Sequence, residues 1–449
     1  MLEALSWERS ALVEYVSIPV YYFKATGKKE RWGDSRYFAF VLPSVRGPGG
    51  PPEAAIRPAL LDLGEASTVN ESVKEFRLEV ARALRLFKSG IVDEAAAEKH
   101  LAERGRRLYD LVVSPIKQAL GERTTLFLSP DADLNLIPFG ALQDETGRYL
   151  AENCRLHYLS CGRDLLRFEG QEENSGETVI LANPDLDMPA PDRLARQKAL
   201  PGTETRVLMQ GASRSRDLTV SRWPPLPGTR LEAESIKKTL RGEKTREYLG
   251  RSALEEVLKK LRSPRRLHLA THGFFVEDQD KSSFLESGIR TARSFPTASR
   301  PIKIENPLLR SGLVLAGANR LGKENLPEGC EDGILTALEI SGIPLRGTDL
   351  VVLSACETGL GRIHRGEGVF GLRRAFQLAG AKTVVMSLWS VPGKETQELM
   401  ANFYERIEKG EGKAAALREA SLAMMKARRE KHGAAHPFFW APFICAGEP

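Results

Sequence analysis

Two short stretches carry side chains whose types and setting suit covalent chemistry. Val351-Val352-Leu353-Ser354-Ala355-Cys356-Glu357-Thr358-Gly359 is an apolar run that stops at small residues, a thiol and a glycine. It reads as a strand buried on both faces, which sets Cys356 on the rim of a sheet. Upstream, Leu267-His268-Leu269-Ala270-Thr271-His272-Gly273 repeats the pattern with an imidazole at its end. Strand ends in an open α/β sheet line the crevice where ligands bind, so two parallel neighbours would bring His272 and Cys356 together. An imidazole beside a thiol favours the thiolate, its nucleophilic form. Gly273 lets the backbone approach a ligand closely, and its N–H together with that of Cys356 suits an oxyanion hole. Taken singly, a cysteine or histidine in such a strand is more often a packing residue. His268, on the same face but deeper in the apolar run, is read as a core histidine.

The elements around these stretches alternate strand and helix, the signature of a mainly parallel sheet covered on both sides. Strand-like stretches run from Ala11 to Phe23 and from Arg36 to Leu42, and helical patterns from Val69 to Phe87 and from Asp93 to Leu120. The first helix has Asn70 as a cap candidate and closes near Gly90. Further strands are expected at Thr124 to Leu128, Thr178 to Ala182, Gly312 to Leu315 and Thr383 to Trp389. A helix is expected at Ile334 to Ile340. Thr229 with Glu232 and Ser252 with Glu255 have the spacing of capping boxes. The stretches Leu186 to Pro225 and Glu277 to Asn306 lack periodicity and are longer than ordinary connections.

Composition narrows the function. A chain of 449 residues that is 42% hydrophobic can bury substantial cores, and its length favours two or three domains. Its formal charge of +6 is modest, with basic clusters interleaved by glutamate, and no zinc-finger, RNA-binding or basic-arm pattern argues for nucleic acid. Five cysteines without paired spacing and the lack of a secretory signal point to a reducing cytoplasm, and no apolar run reaches membrane-spanning length. Cys154, His157 and Cys161 lack a fourth ligand and would not share one strand face, so no metal or cofactor is expected. Glu277-Asp278-Gln279-Asp280 could attract calcium but reads rather as a solvated loop. Gly359-Leu360-Gly361 and Gly366-Glu367-Gly368 lack the Gly-Lys-Ser/Thr of a phosphate loop.

Five strings, Leu269-Ala270-Thr271-His272-Gly273, Gly312-Leu313-Val314-Leu315-Ala316-Gly317-Ala318, Gly333-Ile334-Leu335-Thr336-Ala337, Leu353-Ser354-Ala355-Cys356-Glu357-Thr358-Gly359 and Ser387-Leu388-Trp389, stand in an order that resembles CHAT domains. These are caspase-like and separase-like cysteine peptidases often associated with tetratricopeptide repeats. The resemblance reaches upstream to Leu126-Phe127-Leu128-Ser129-Pro130 and Leu136-Ile137-Pro138-Phe139, and downstream to His436-Pro437-Phe438-Phe439-Trp440-Ala441. It implies an α/β fold in which residues 1–170 form a degenerate, pseudoprotease-like module and residues 171–449 the caspase-like protease domain. It also implies a cysteine endopeptidase with His272 and Cys356 as its dyad.

The resemblance further implies that a protein substrate binds as an extended strand beside Ser387-Leu388-Trp389-Ser390-Val391. The pocket before the scissile bond would be floored by Ser354 and flanked near Asp185, with Asp332 and Glu357 as further candidates. An acidic residue there would favour a basic side chain, whereas Ser354 and Trp389 equally suit a large apolar one. The chain departs from the family pattern at Gly393, where CHAT domains commonly carry Asp. No 34-residue repeat is present, so a sensor or activator is expected as a separate or trimmed partner, in bacterial defence or regulated signalling. The alternative is a catalytically silent scaffold or interaction module.

Overall fold

The computed structural model describes residues 9–24, 31–44, 58–90, 93–168, 174–200, 218, 222–276, 306–354, 356–357, 367–389 and 393–448. The chain starts with a hairpin of β1 (Ser10–Tyr21) and β2 (Trp32–Pro43), extended by β3 (Ala59–Glu65). Alternation explains the hairpin: Tyr37, Ala39 and Val41 point inward and are fully buried, while Phe40 on the other face is exposed. Helices α1 (Ala66–Ser89) and α2 (Glu94–Val112) cover the inward face. Val69, Val73, Phe76 and Val80 recur at helical spacing and form the buried stripe of α1. After α3 (Lys117–Leu120) come β4 (Thr125–Ser129), α4 (Leu150–Asn153) and β5 (Arg155–Tyr158).

The second half contributes β6 (Thr178–Pro184), α5 (Ala190–Lys198), α6 (Pro227–Thr239), β7 (Thr245–Gly250), α7 (Glu255–Lys259), β8 (Arg266–Ala270) and β9 (His272–Phe275). Then follow β10 (Ser311–Val314), β11 (Ile334–Thr336), α8 (Ala337–Ile340), β12 (Leu350–Leu353) and β13 (Cys356–Glu357). The chain continues through α9 (Glu367–Ala379), β14 (Thr383–Ser387), α10 (Gly393–Glu408), α11 (Lys413–His432), α12 (Pro437–Trp440) and β15 (Phe443–Gly447).

Eleven strands form one sheet in the order β3-β2-β1-β4-β5-β15-β14-β12-β8-β6-β7. It is mainly parallel, the antiparallel pairings being β1–β2, β2–β3 and β14–β15. Residues 1–170 supply five strands at one end and residues 171–449 the other six, joined where Ala446 of β15 pairs with Tyr158 of β5. The joint is reinforced from the side. Arg428 on α11 makes a paired contact with Glu94 at the start of α2, and Glu94 and Glu98 also accept the backbone N–H groups of His436 and Ala435. Arg373 and Gln377 on α9 reach across to Asn135 (3.1 Å) and Ser160 (2.6 Å). A second sheet, β11-β10-β9-β13, stands beside the main one.

Several local expectations are corrected. The segment from Asp93 to Leu120 is not one helix, because Pro115 has no N–H to continue the ladder; α2 stops at Val112, and a 3-10 turn at Ser114–Ile116 precedes α3. Asn70 lies inside α1, where its Oδ1 accepts from the Tyr37 hydroxyl. The stretch from Leu186 contains α5, whose buried residues are Ala190 and an arginine, Arg193, so it shows no apolar period. Ile334 to Ile340 divides into β11 and α8, because Thr336 and Glu339 form the capping box that starts the helix.

Neither sequence-read capping box forms. Pro227 starts α6 three residues early, and the Thr229 hydroxyl instead accepts from Asn183 N and donates to Leu226 O. Ser252 accepts from Arg196, while Glu255 turns inward to the N–H of Gly333 and to Lys259. Burial drives the Glu255 carboxyl well above its ordinary pKa, against the pull of Lys259.

Two buried histidines give the fold a pH dependence. His157 stacks on Phe127 with ring centroids 4.9 Å apart, and His436 caps α12 by accepting from Phe438 N at 3.0 Å. Burial pushes each down to about 3. In the unfolded chain both titrate near about 6.5, so below that pH the unfolded state binds more protons. Their stabilising contribution is complete above about pH 6.5 and is lost as the pH falls toward about 3. Urea unfolding at pH 7 and at pH 5 is therefore expected to show a loss of up to about 1 kcal/mol per pH unit per histidine. A His157→Phe, His436→Asn double variant should flatten that slope; an unchanged slope would show that other groups set it.

Candidate active site

The site grows out of two neighbouring strands that leave the main sheet together. In that sheet β8 and β12 run parallel, with Leu269 opposite Leu353. Beyond Thr271 and Ser354 the same two chains re-pair in the small sheet as β9 and β13, with His272 opposite Cys356 and Gly273 opposite Glu357. The offset is 84 residues in both places (353 minus 269, and 356 minus 272), so the register passes from one sheet to the other without a slip. Partners in adjacent strands lie about 4.8 Å apart. The backbone of Cys356 is thus set against that of His272.

The crossing point is held by polar groups. Ser354 N–H continues the main-sheet ladder to Leu269 O at 2.9 Å, and the Thr271 hydroxyl donates to Val314 O of β10. On its other side β9 pairs with β10, Val314 opposite His272 and Leu313 opposite Gly273. Gly312 makes that pairing feasible: a Cβ there would meet Leu335 O at 2.4 Å and the Phe274 ring at 2.6 Å.

His272 is 1% exposed. Its Nε2 lies 2.7 Å from the carbonyl oxygen of Pro224. A carbonyl only accepts, so Nε2 carries the proton and Nδ1 is left as the basic nitrogen. Burial lowers the imidazole pKa, and the Pro224 hydrogen bond pulls it partly back up. The resting ring is neutral and able to take a proton. Pro224 sits in Trp223-Pro224-Pro225, where two fixed φ angles stiffen the main chain. Nothing in the sequence reading pointed to this carbonyl, and its one signal was the proline run inside an aperiodic stretch.

The other sequence candidates fall in distinct places. Ser354 is buried, and its hydroxyl donates to Glu232 Oε2 at 3.1 Å; Glu232 Oε1 lies 3.2 Å from His268 Nε2, whose Nδ1 is 3.2 Å from the Tyr404 hydroxyl. His268 is a core residue, as expected, and Glu232 is a buried anchor. Asp185 pairs with Arg251 Nε at 3.5 Å, and its carbonyl accepts from Gly317 N. Asp332 turns the chain into β11 by accepting from Ile334 N at 2.8 Å. Ser387 ends β14 opposite Phe443, Leu388 N bonds Pro442 O, and the buried Trp389 donates from Nε1 to Phe438 O at 3.0 Å. Glu357 is placed by its backbone register with Gly273. Ser390, Val391, the acidic stretch 277–280 and the glycines 359–366 lie outside the described residues.

Gly393 opens α10, and a Cβ there would lie 3.3 Å from the Cα of Gly228 in α6. The starts of these helices meet at backbone distance, which leaves little room for a longer side chain. Among the described residues no group of three or more His, Cys, Asp or Glu is arranged to hold a metal, and no helix is long and apolar enough to cross a membrane.

Comparison with known proteins places these features in context. A family model described as "CHAT domain" matches residues 102–448. Human tetratricopeptide repeat protein 28 is 26% identical over 362 residues, which cover 76% of this chain but 13% of that protein. The chain therefore spans a small part of the length of that curated relative. Among solved structures, the Saccharomyces cerevisiae separase–securin complex aligns with 9% identity and a TM-score of 0.48, covering 100% of this chain and 30% of the other. The complex of Porphyromonas gingivalis RgpB pro- and mature domains aligns with 8% identity and a TM-score of 0.36, covering 86% and 77%.

The Gly312 packing is directly testable. Gly312→Ala is expected to destabilise the chain by about 2–4 kcal/mol through overpacking against a carbonyl and a ring. It should do so by loosening β9 from β10, read as faster amide hydrogen exchange at Gly273 and Phe274. Gly322→Ala, at an open position with positive φ, is expected to cost about 1 kcal/mol and leave that exchange unchanged. Equal effects of the two substitutions would refute the packing argument.

Proposed function

The chain belongs to the CHAT domain family, and from that premise we propose that it is a cysteine endopeptidase acting through a His272–Cys356 dyad. The observation that supports this most is the unbroken register that sets Cys356 opposite His272, together with the Pro224 carbonyl that leaves Nδ1 of the imidazole basic. In this reading Nδ1 takes the thiol proton, and the thiolate attacks a peptide carbonyl carbon. The N–H groups of Gly273 and Cys356 stabilise the oxyanion of the tetrahedral intermediate. Collapse breaks the C–N bond, the imidazolium gives its proton to the departing amine, and water then hydrolyses the thioester with the same imidazole as base. A ring kept neutral by burial suits the first of these steps.

The substrate in this proposal is a protein segment bound as an extended strand past the end of β14, near Ser387, Leu388 and Trp389. Asp185, Ser354, Asp332 and Glu357 are the residues proposed around its pocket. Ser354 and Asp185 are already engaged by Glu232 and Arg251, so an incoming side chain would have to share those partners. A sensor or activator partner, a cytoplasmic setting and a role in defence or signalling complete the proposal, with residues 1–170 as a module that has lost its own catalytic groups.

Incubation with a diverse peptide library tests this, with wild type beside Cys356→Ala and His272→Ala and products read by mass spectrometry. Cleavage by the wild type should fall by roughly a thousandfold or more in both variants, since members of a catalytic unit fail together. Undiminished cleavage by Cys356→Ala would overturn the dyad. The residue preferred before the cut reports on the pocket in the same experiment.

A further inference from the structure

The carbonyl that fixes the tautomer of His272 must itself be held in place, and the chain around Pro224 contains a device for doing so. The residue before it, Trp223, has both main-chain polar groups bonded to one side chain. Trp223 N–H donates to Asn319 Oδ1 at 2.9 Å, and Trp223 O accepts from Asn319 Nδ2 at 3.0 Å. The carboxamide thus pairs with both main-chain groups of one residue, which belong to the two peptide units flanking Trp223, as a neighbouring strand would, and no other side chain of its length offers both a donor and an acceptor. Asn319 is 1% exposed and both bonds are buried.

Asn319 is anchored in turn. Its N–H bonds Leu186 O at 2.9 Å, and its turn starts at Gly317, held in the left-handed region at φ 85°. Gly317 N bonds Asp185 O, and Gly317 O accepts from the buried Arg193 guanidinium at 2.8 Å. Asn319 lies five residues past Val314, the register partner of His272 on β10. The strand beside the imidazole therefore also carries the clamp for the imidazole's acceptor. The indole of Trp223 packs with Leu186, Phe274, Val314, Ala318, Leu321 and Ile334, a small cluster separate from the main core. Two of its members, Phe274 and Val314, flank His272 along and across the strand.

We propose that Asn319 is a positioning residue for His272: by fixing the Trp223 peptide it holds the Pro224 carbonyl on Nε2 and keeps Nδ1 as the nitrogen that serves the thiol. This rests on the dyad reading above. Without the clamp, a buried peptide N–H and C=O lose their partners and the segment must shift to satisfy them. The Pro224 carbonyl shifts with it, and the imidazole loses the bond that orients its ring and supports its protonated form.

The test needs no substrate. Alkylation of Cys356 by iodoacetamide is followed from pH 5 to 9 by mass spectrometry of the Cys356 peptide. The comparison covers wild type, His272→Ala, Asn319→Ala and Asn319→Ser, the last keeping one hydroxyl for the Trp223 peptide. The buried Cys445, whose thiol is pushed up to about 12, reports retention of the fold by staying unlabelled. Wild type is expected to react well below the ordinary thiol range near about pH 8.5, and His272→Ala to slow labelling at pH 7 by about tenfold. Asn319→Ala should move the profile the same way by roughly three- to tenfold at pH 7, and Asn319→Ser by less. A profile that moves only together with labelling of Cys445, in Asn319→Ser as much as in Asn319→Ala, would assign the shift to a general loss of packing and overturn the positioning role. A folded Asn319→Ala or Asn319→Ser protein with the wild-type profile would overturn the proposal. An unchanged profile in His272→Ala would instead remove the dyad itself, and the positioning role with it.

Discussion

Everything at the site depends on the register between two strands that are far apart in sequence. The ladder of β8 and β12 is fixed inside the main sheet by buried residues, apolar except for Arg266 and His268, and a slip of one position would turn each strand's side chains to the wrong face. That penalty is paid in the core, whereas its effect is felt three residues later. There the same offset decides that His272 meets Cys356 rather than a neighbour. The core therefore sets the His272–Cys356 juxtaposition by counting residues, and the small sheet carries the count outward past the edge of the large one.

Carrying an imidazole into that position has a cost. A buried ring nitrogen without a partner loses about 1–3 kcal/mol, and the Pro224 carbonyl offsets this while choosing the tautomer. The same solution recurs around the site. The Gly317 carbonyl satisfies Arg193, the Val314 carbonyl satisfies Thr271, and Glu232 satisfies Ser354. Two of these bonds end on β10 and the turn after it, at Val314 and Gly317. The small apolar cluster around Trp223 takes in Val314 and Ala318 from the same stretch.

Much of this was legible in the sequence, for a physical reason. Strands buried on both faces appear as continuous apolar runs, so β8, β12 and β14 were readable along with the residues at their ends. Capping boxes were less so, because a Thr or Ser followed three residues later by Glu is also what a buried polar network requires. Glu232 and Glu255 had the right spacing but turned inward, whereas Thr336 with Glu339 made the local pair. The helix at Ala190–Lys198 carries no apolar period because its buried residues are one alanine and one arginine. The continuous eleven-stranded sheet was equally out of reach, since a sheet joined through Ala446 and Tyr158 depends on a pairing 288 residues apart (446 minus 158).

The acceptor that orients His272 is a main-chain oxygen, and that has a consequence for how such sites are discovered. Every residue type at position 224 supplies a carbonyl, so exchanging the side chain there does not delete the atom that matters. A scan of single substitutions would score the position by its ring and backbone stiffness, and comparison of related chains would find no required chemical group to match. The contribution surfaces only through the neighbours that hold the peptide, or through chemistry that alters the backbone itself. A site assembled in this way has a member that heredity does not encode as a letter, only as a place.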